Sequence, residues 1–415
     1  MALAEARLAT APQGFRAETV RGTEGFFRVA QDAGDRWWLV DPAGRPFFAK
    51  AVHDVQAGEP PGDGGMPMDS AVRLRNWGFN AVGLTRGSVG RDDGLPFLAA
   101  VEFCEAGLTL TAAGMRLPDV FDPKWPGRAA DHARERCGVL KENPALMGWV
   151  TDSALGWAQP SFAGRPSLLQ ICLSLEPSFA AYHAAWEFVL ALHGGRLETL
   201  ARAWGASLPN KEVVRELTRA EEGLGTRGYL RDEARWTREF ARRYFTGTAA
   251  AVRRIDPNHL VLGCRFADVA GPAILAECAY PAIDVALPDW RELGAYAPPT
   301  RPGGLAFANP ILAGNVSWTT PEFLKLPAAA RLLRLTSVEW MLRRGRSGLD
   351  RLARNPAVVG YVWAQWQDAP AEQPPFAGGL VHQNGIEARE HTELLAQFNR
   401  RADSLRRFQL NPPSP

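Results

Sequence analysis

The sequence predicts an α/β fold, a (β/α)8 TIM barrel with a small N-terminal β cap and a long insertion after the fourth strand. Three observations point there. Eight short apolar runs of buried-strand character recur along the 415 residues, amphipathic helical patterns separate most of them, and the composition is that of a globular chain, 46% hydrophobic and 22% charged.

The cap comes first. Residues 25–29 and 36–40 are β-rich and flank the turn Asp32-Ala33-Gly34-Asp35. A second turn, Asp41-Pro42-Ala43-Gly44, leads into the run 46–52, read as the first barrel strand. The remaining strands are expected at 79–84, 108–110, 146–150, 260–264, 283–287, 310–313 and 358–363. Between them, residues 69–77, 321–343 and 387–407 have helical patterning, and residues 231–254 place Trp236, Phe240 and Tyr244 along one helical face before Asp256-Pro257 ends it. The fourth unit is enlarged: 152–258 separates two strands and carries helical patterns at 179–193 and 197–204. The domain reading is therefore an N-terminal segment with the cap at 1–45, a barrel at 46–407 and a tail at 408–415.

Composition excludes several function classes. With 47 basic and 45 acidic side chains the net charge is +2, which argues against a nucleic-acid partner. No apolar run approaches the ~18 residues of a membrane span. Cys104, Cys137, Cys172, Cys264 and Cys278 form no CxxC pair, so free buried thiols are expected rather than a metal or redox site. Walker, Rossmann, HExxH and GxSxG patterns are missing, and no cofactor is expected. The first twenty residues lack a charged-then-apolar leader pattern, which favours a cytoplasmic location or a chain that begins after processing.

Several segments at predicted strand ends resemble clan A glycoside hydrolases, particularly β-agarase-like and β-galactosidase-like members. They include Pro46-Phe-Phe-Ala-Lys-Ala-Val52, Gly78-Phe-Asn-Ala-Val82, Pro118-Asp-Val-Phe-Asp-Pro123, Asn143-Pro-Ala-Leu-Met-Gly-Trp-Val-Thr-Asp152, His259-Leu-Val-Leu-Gly-Cys-Arg-Phe-Ala267 and Val359-Gly-Tyr-Val-Trp-Ala-Gln-Trp366. The resemblance implies a retaining mechanism, in which one glutamate protonates the leaving oxygen and a second, about 5 Å away, attacks the anomeric carbon. The first would end strand 4 in a W-x-x-D-N-E-x-x-W pattern and the second would end strand 7.

Both positions depart from that pattern. Trp149-Val-Thr-Asp-Ser-Ala-Leu-Gly-Trp157 puts Ser153 and Ala154 where asparagine and glutamate belong, and Pro310-Ile-Leu-Ala-Gly-Asn-Val-Ser-Trp318 puts Asn315 at the nucleophile position. A methyl group transfers no proton, and a carboxamide has neither the charge nor the pKa for the covalent step. The leading expectation is a pseudoenzyme that binds an oligo- or polysaccharide. Two alternatives stay open: relocated carboxylates, Asp289 with Asp152 or Asp368, in an active hydrolase or transglycosidase, and a non-catalytic scaffold that binds a protein partner. Asp152 also reads as a structural anchor. The expected saccharide contacts are His53 (beside Asp54), Arg86, Arg265, Asp289, Asn315 and Gln365, with the indoles of Trp157, Trp290, Trp318, Trp363 and Trp366 as sugar-stacking faces.

Overall fold

In the computed structural model, residues 11–56, 69–85, 94–112, 115–157, 166–215, 225–267, 270–290, 309–318, 334–369 and 378–408 are described. Strands β1 (Arg28–Gln31) and β2 (Trp37–Val40) pair antiparallel, and β3 (Pro46–Phe47) adds to β2. The Asp32 carboxylate closes the first turn by accepting from the Gly34 and Arg36 amides and from Trp38 Nε1. The expected first strand divides here: β3 belongs to the cap, and β4 (Ala49–Val52) begins the main body.

The chain continues through α1 (Ser70–Asn76), β5 (Phe97–Ala100), the antiparallel hairpin β6 (Thr109–Ala112) and β7 (Met115–Pro118), α2 (Trp125–Cys137) and β8 (Leu146–Val150). The insertion supplies α3 (Leu168–Ser174), α4 (Ala180–Leu192), α5 (Leu197–Trp204) and the long α6 (Arg227–Ile255). Next come β9 (Leu260–Val261), α7 (Pro272–Glu277), β10 (Ile311–Val316), α8 (Arg334–Arg354), β11 (Val358–Trp363) and α9 (Arg389–Arg406). Asp69 caps α1 through the Ala71 amide, and Thr226 caps α6 through the Tyr229 amide. Trp236, Phe240 and Tyr244 are fully buried along α6, as the periodicity predicts. Of the expected helix at 321–343, residues 321–333 lie outside the described residues.

Two parallel sheets form the centre, in the orders β10-β11-β4 and β5-β8-β9. Two further extended runs lie between them. The run 79–84 donates from Ala81 and Gly83 to the Lys50 and Val52 carbonyls of β4, and Val82 bridges Phe97 of β5. The run 283–289 donates from Asp284 to the Val261 carbonyl, and Ala286 bridges Ile311 of β10. One apolar cluster joins inward residues of these strands, such as Ala51, Leu98 and Leu312, to Phe27, Val29, Trp37 and Leu39, so the cap plugs one end of the sheets. A second, larger cluster joins the outer strand faces to the helices.

The expected third strand, 108–110, is corrected by the structure. Those residues belong to the β6–β7 hairpin, where Leu110 pairs with Leu117, and the parallel strand is β5. Burial explains the difference. Along β6 only Leu110 is buried and its neighbour Thr111 is exposed, as in a hairpin with one wet face, whereas three consecutive residues of β5 are buried, as a strand covered on both faces requires.

At Gly360, β11 passes so close to β4 that a Cβ would lie 2.5 Å from the Ala49 carbonyl oxygen and 2.6 Å from the Ala49 Cβ. Gly360→Ala is expected to cost about 2–4 kcal/mol by prising the strands apart. Urea unfolding measures this, and a loss below about 0.5 kcal/mol would contradict the close pairing. All five cysteines are free and buried. Among the described residues no helix is long and apolar enough to cross a membrane.

Candidate functional site

A cavity of about 930 Å³ opens where the parallel strands end. Its wall takes Asp54 from beyond β4, Thr85 from beyond the run 79–84, Glu102 from beyond β5, Ser153 and Ala154 from beyond β8, and Arg265 from beyond β9. It continues along β5 toward Arg136 and Val139 at the end of α2. Three residues at these strand ends hold a left-handed backbone: Asp54 (φ 54°), Glu102 (φ 65°) and Asn315 (φ 52°). Such conformations cost energy in residues other than glycine and gather where side chains must be aimed.

At the end of β8, Ala154 is exposed on the cavity wall and Ser153 donates its backbone N–H to Glu102 Oε1 at 3.1 Å. Asn315 is tied at both amide atoms: Oδ1 accepts from Arg265 Nε at 2.7 Å, and Nδ2 donates to the Phe266 carbonyl at 3.1 Å. Arg265, on the same wall as Ala154, thus links that wall to Asn315.

Neither Asp152, Asp289 nor Asp368 lines this cavity. Asp152 is wholly buried, accepting from the Cys104 amide (2.9 Å) and the Tyr244 hydroxyl (2.6 Å). Burial raises its pKa to about 7, against the pull of those two donors. It fastens β8 to the turn after β5 and to α6, the anchor alternative. Asp368 accepts from the Gly379 amide and His382 Nδ1, both at 2.8 Å, and braces its loop. Asp289 is buried, with its backbone bridged to Gly314. All three carboxylates are thus buried away from the cavity wall at Ala154.

His53 is also enclosed. Its Nδ1 accepts from the Leu84 amide at 2.9 Å, and burial, then the charge of Arg265, holds its pKa well below 6.5. The neutral ring therefore carries its proton on Nε2, while the adjacent Asp54 reaches the cavity. Arg86 lies outside the described residues. Gln365 is half-buried.

The strand-end indoles all meet partners within the protein. Trp157 packs against Tyr244 and Phe245, Trp363 donates to the Gly378 carbonyl from full burial, and Trp366 lies buried beside Trp77. Half-buried Trp318 donates to His391 Nδ1 and meets Trp363 edge-on, and half-buried Trp290 packs near Gly348 of α8. Large apolar rings at strand ends gain more from covering the junction of strands and helices than from facing water.

Sequence reasoning missed Glu102, Glu105, Arg116 and Arg136, all on the cavity wall. The cause was the misplaced third strand. The continuous apolar run 97–101 was the available signal, and it ends directly before Glu102.

No family model matches the chain. It is 23% identical over 268 residues to β-agarase B of Vibrio sp. (strain JT0107), covering 61% of this chain and 26% of that protein. It is 21% identical over 341 residues to β-agarase A of the same organism, covering 65% and 34%. The chain thus spans about a quarter to a third of the length of these relatives. The solved structure of an agarase aligns with a TM-score of 0.67 at 17% identity, over 95% of this chain and 67% of that one. An exo-β-agarase aligns at 0.68 and 17%, over 96% and 68%. By sequence this chain is homologous to agarases, and its mixed α/β fold is shared with glycoside hydrolases.

Proposed function

We propose that this protein is a glycoside-hydrolase-like (β/α)8 barrel that binds an oligo- or polysaccharide at the strand-end cavity and lacks the retaining acid/base and nucleophile. The barrel reading draws support from the runs 79–84 and 283–289, whose hydrogen bonds connect the two parallel sheets on both sides. Clan A ancestry accounts for the order of the resembling segments. One observation carries the functional reading: a methyl group at 154 and a doubly hydrogen-bonded amide at 315 stand where the resemblance calls for two carboxylates. General acid catalysis alone contributes about 10²–10⁴-fold, and without a nucleophilic carboxylate the glycosyl-enzyme bond does not form.

The test is calorimetry with agarose oligosaccharides, together with product analysis on those sugars, other β-linked oligosaccharides and nitrophenyl glycosides. Saturable binding without turnover above buffer is the expected result. Sustained turnover would overturn the reading, and its loss in Asp289→Asn would assign the reaction to a relocated acid.

A further inference from the structure

We propose, building on the saccharide-binding reading, that Glu102 is the specificity-determining carboxylate of the cavity, accepting ligand hydroxyl groups and disfavouring anionic sugars. Four acidic groups, Asp54, Glu102, Glu105 and Glu135, and three arginines, Arg116, Arg136 and Arg265, line the wall. Arg136 is offset by its pair with Glu105 at 2.7 Å, whereas Arg265 donates to the neutral Asn315 amide and keeps its charge. This leaves the acids Asp54, Glu102 and Glu135 against Arg116 and Arg265. Arg116 is exposed, where water and salt screen its charge.

Glu102 differs from the other acids. Its left-handed backbone sits two residues past β5, and Oε1 is fixed by the Ser153 amide next to Ala154. Among the described residues no other hydrogen bond to this carboxylate is found, so Oε2 retains its acceptor capacity on the cavity wall that Glu102 shares with Ala154. A carboxylate held at one oxygen and open at the other is preorganised for neighbouring sugar hydroxyls, since charge-assisted hydrogen bonds are the stronger kind. The same charge repels a sulfate or uronate at that subsite.

Calorimetry with a neutral agarose hexasaccharide and a sulfated galactan hexasaccharide tests this on the wild type, Glu102→Gln and Glu102→Ala. Glutamine keeps an acceptor for the Ser153 amide, and its urea midpoint verifies the fold. The wild type should prefer the neutral sugar by about tenfold or more, and Glu102→Gln should weaken neutral binding about tenfold and shrink that preference to about threefold or less. Glu102→Ala should weaken it at least as much. Unchanged neutral binding in Glu102→Gln, or a wild type that takes the sulfated sugar equally well, overturns the role of Glu102 and leaves the saccharide-binding function standing. A wild type that binds neither sugar overturns both.

Discussion

Replacing Arg406 with alanine should destabilise the protein by roughly 3–5 kcal/mol, among the largest losses expected of a single substitution here. The Arg406 guanidinium, on the last turn of α9, is buried between the rings of Trp38 and Phe48, 4.6 and 4.8 Å from their centroids. It donates to the carbonyls of Trp37 at 2.6 Å, Ala353 at 3.2 Å and Asn355 at 3.3 Å. One side chain therefore ties the cap, the end of α8 and the last helix together. Truncation leaves three carbonyls without that donor and a cavity between two aromatic rings. Arg406→Met, which keeps an apolar stem, should recover part of the loss, because packing and hydrogen bonding then separate. Urea unfolding of both variants provides the measurement, and a loss under about 1 kcal/mol for alanine would contradict this account.

Asp152 should give the second large effect, and one that depends on pH. Its carboxyl is raised from 3.8 to about 7 in the folded state, chiefly by burial, with the nearby Glu102 charge adding to the rise. A raised acid means that the folded protein holds the proton more tightly than the unfolded chain. Its contribution to stability is therefore fully present below pH ~4, falls as the pH climbs toward ~7 and is level above that. The loss across this window is up to ~4 kcal/mol. His53 and His391, whose pKa values burial lowers, act in the opposite sense as they deprotonate. The difference between wild type and Asp152→Asn isolates the aspartate: it should change steadily between pH 4.5 and 7 in urea titrations and stay flat from 7 to 8.5. A constant difference across both ranges would refute the raised pKa. Asp152→Ala, which strands the Cys104 amide and the Tyr244 hydroxyl, should lose about 3–5 kcal/mol at neutral pH.

Much of the architecture was legible because it follows from periodicity. The α6 stripe of Trp236, Phe240 and Tyr244, the cap turn at Asp32 and the apolar runs at 146–150 and 358–363 all lie where pattern and turn chemistry predict. The third strand was not legible in the same way. Residues 97–100 and 108–110 are both short and apolar, and only burial on both faces separates them. That one displacement hid Glu102 and the wall beside it. The direction of the tryptophans was illegible for a different reason. A strand-end indole satisfies the same pattern whether it faces the cavity or the junction with a helix, and Trp157 and Trp363 face inward because Phe245 and Trp318 offer matching surfaces there.

The two-point attachment of the Asn315 side chain also bears on how this lineage can change. Exchanging that amide for a carboxylate would strip the Phe266 carbonyl of its N–H and set two negative oxygens against each other. An Asn315→Asp exchange on its own therefore meets a penalty set by this chain's own hydrogen bonds. A carboxylate could be accepted at 315 only with a compensating change at the Phe266 carbonyl, so the side chain and its two partners would have to alter together.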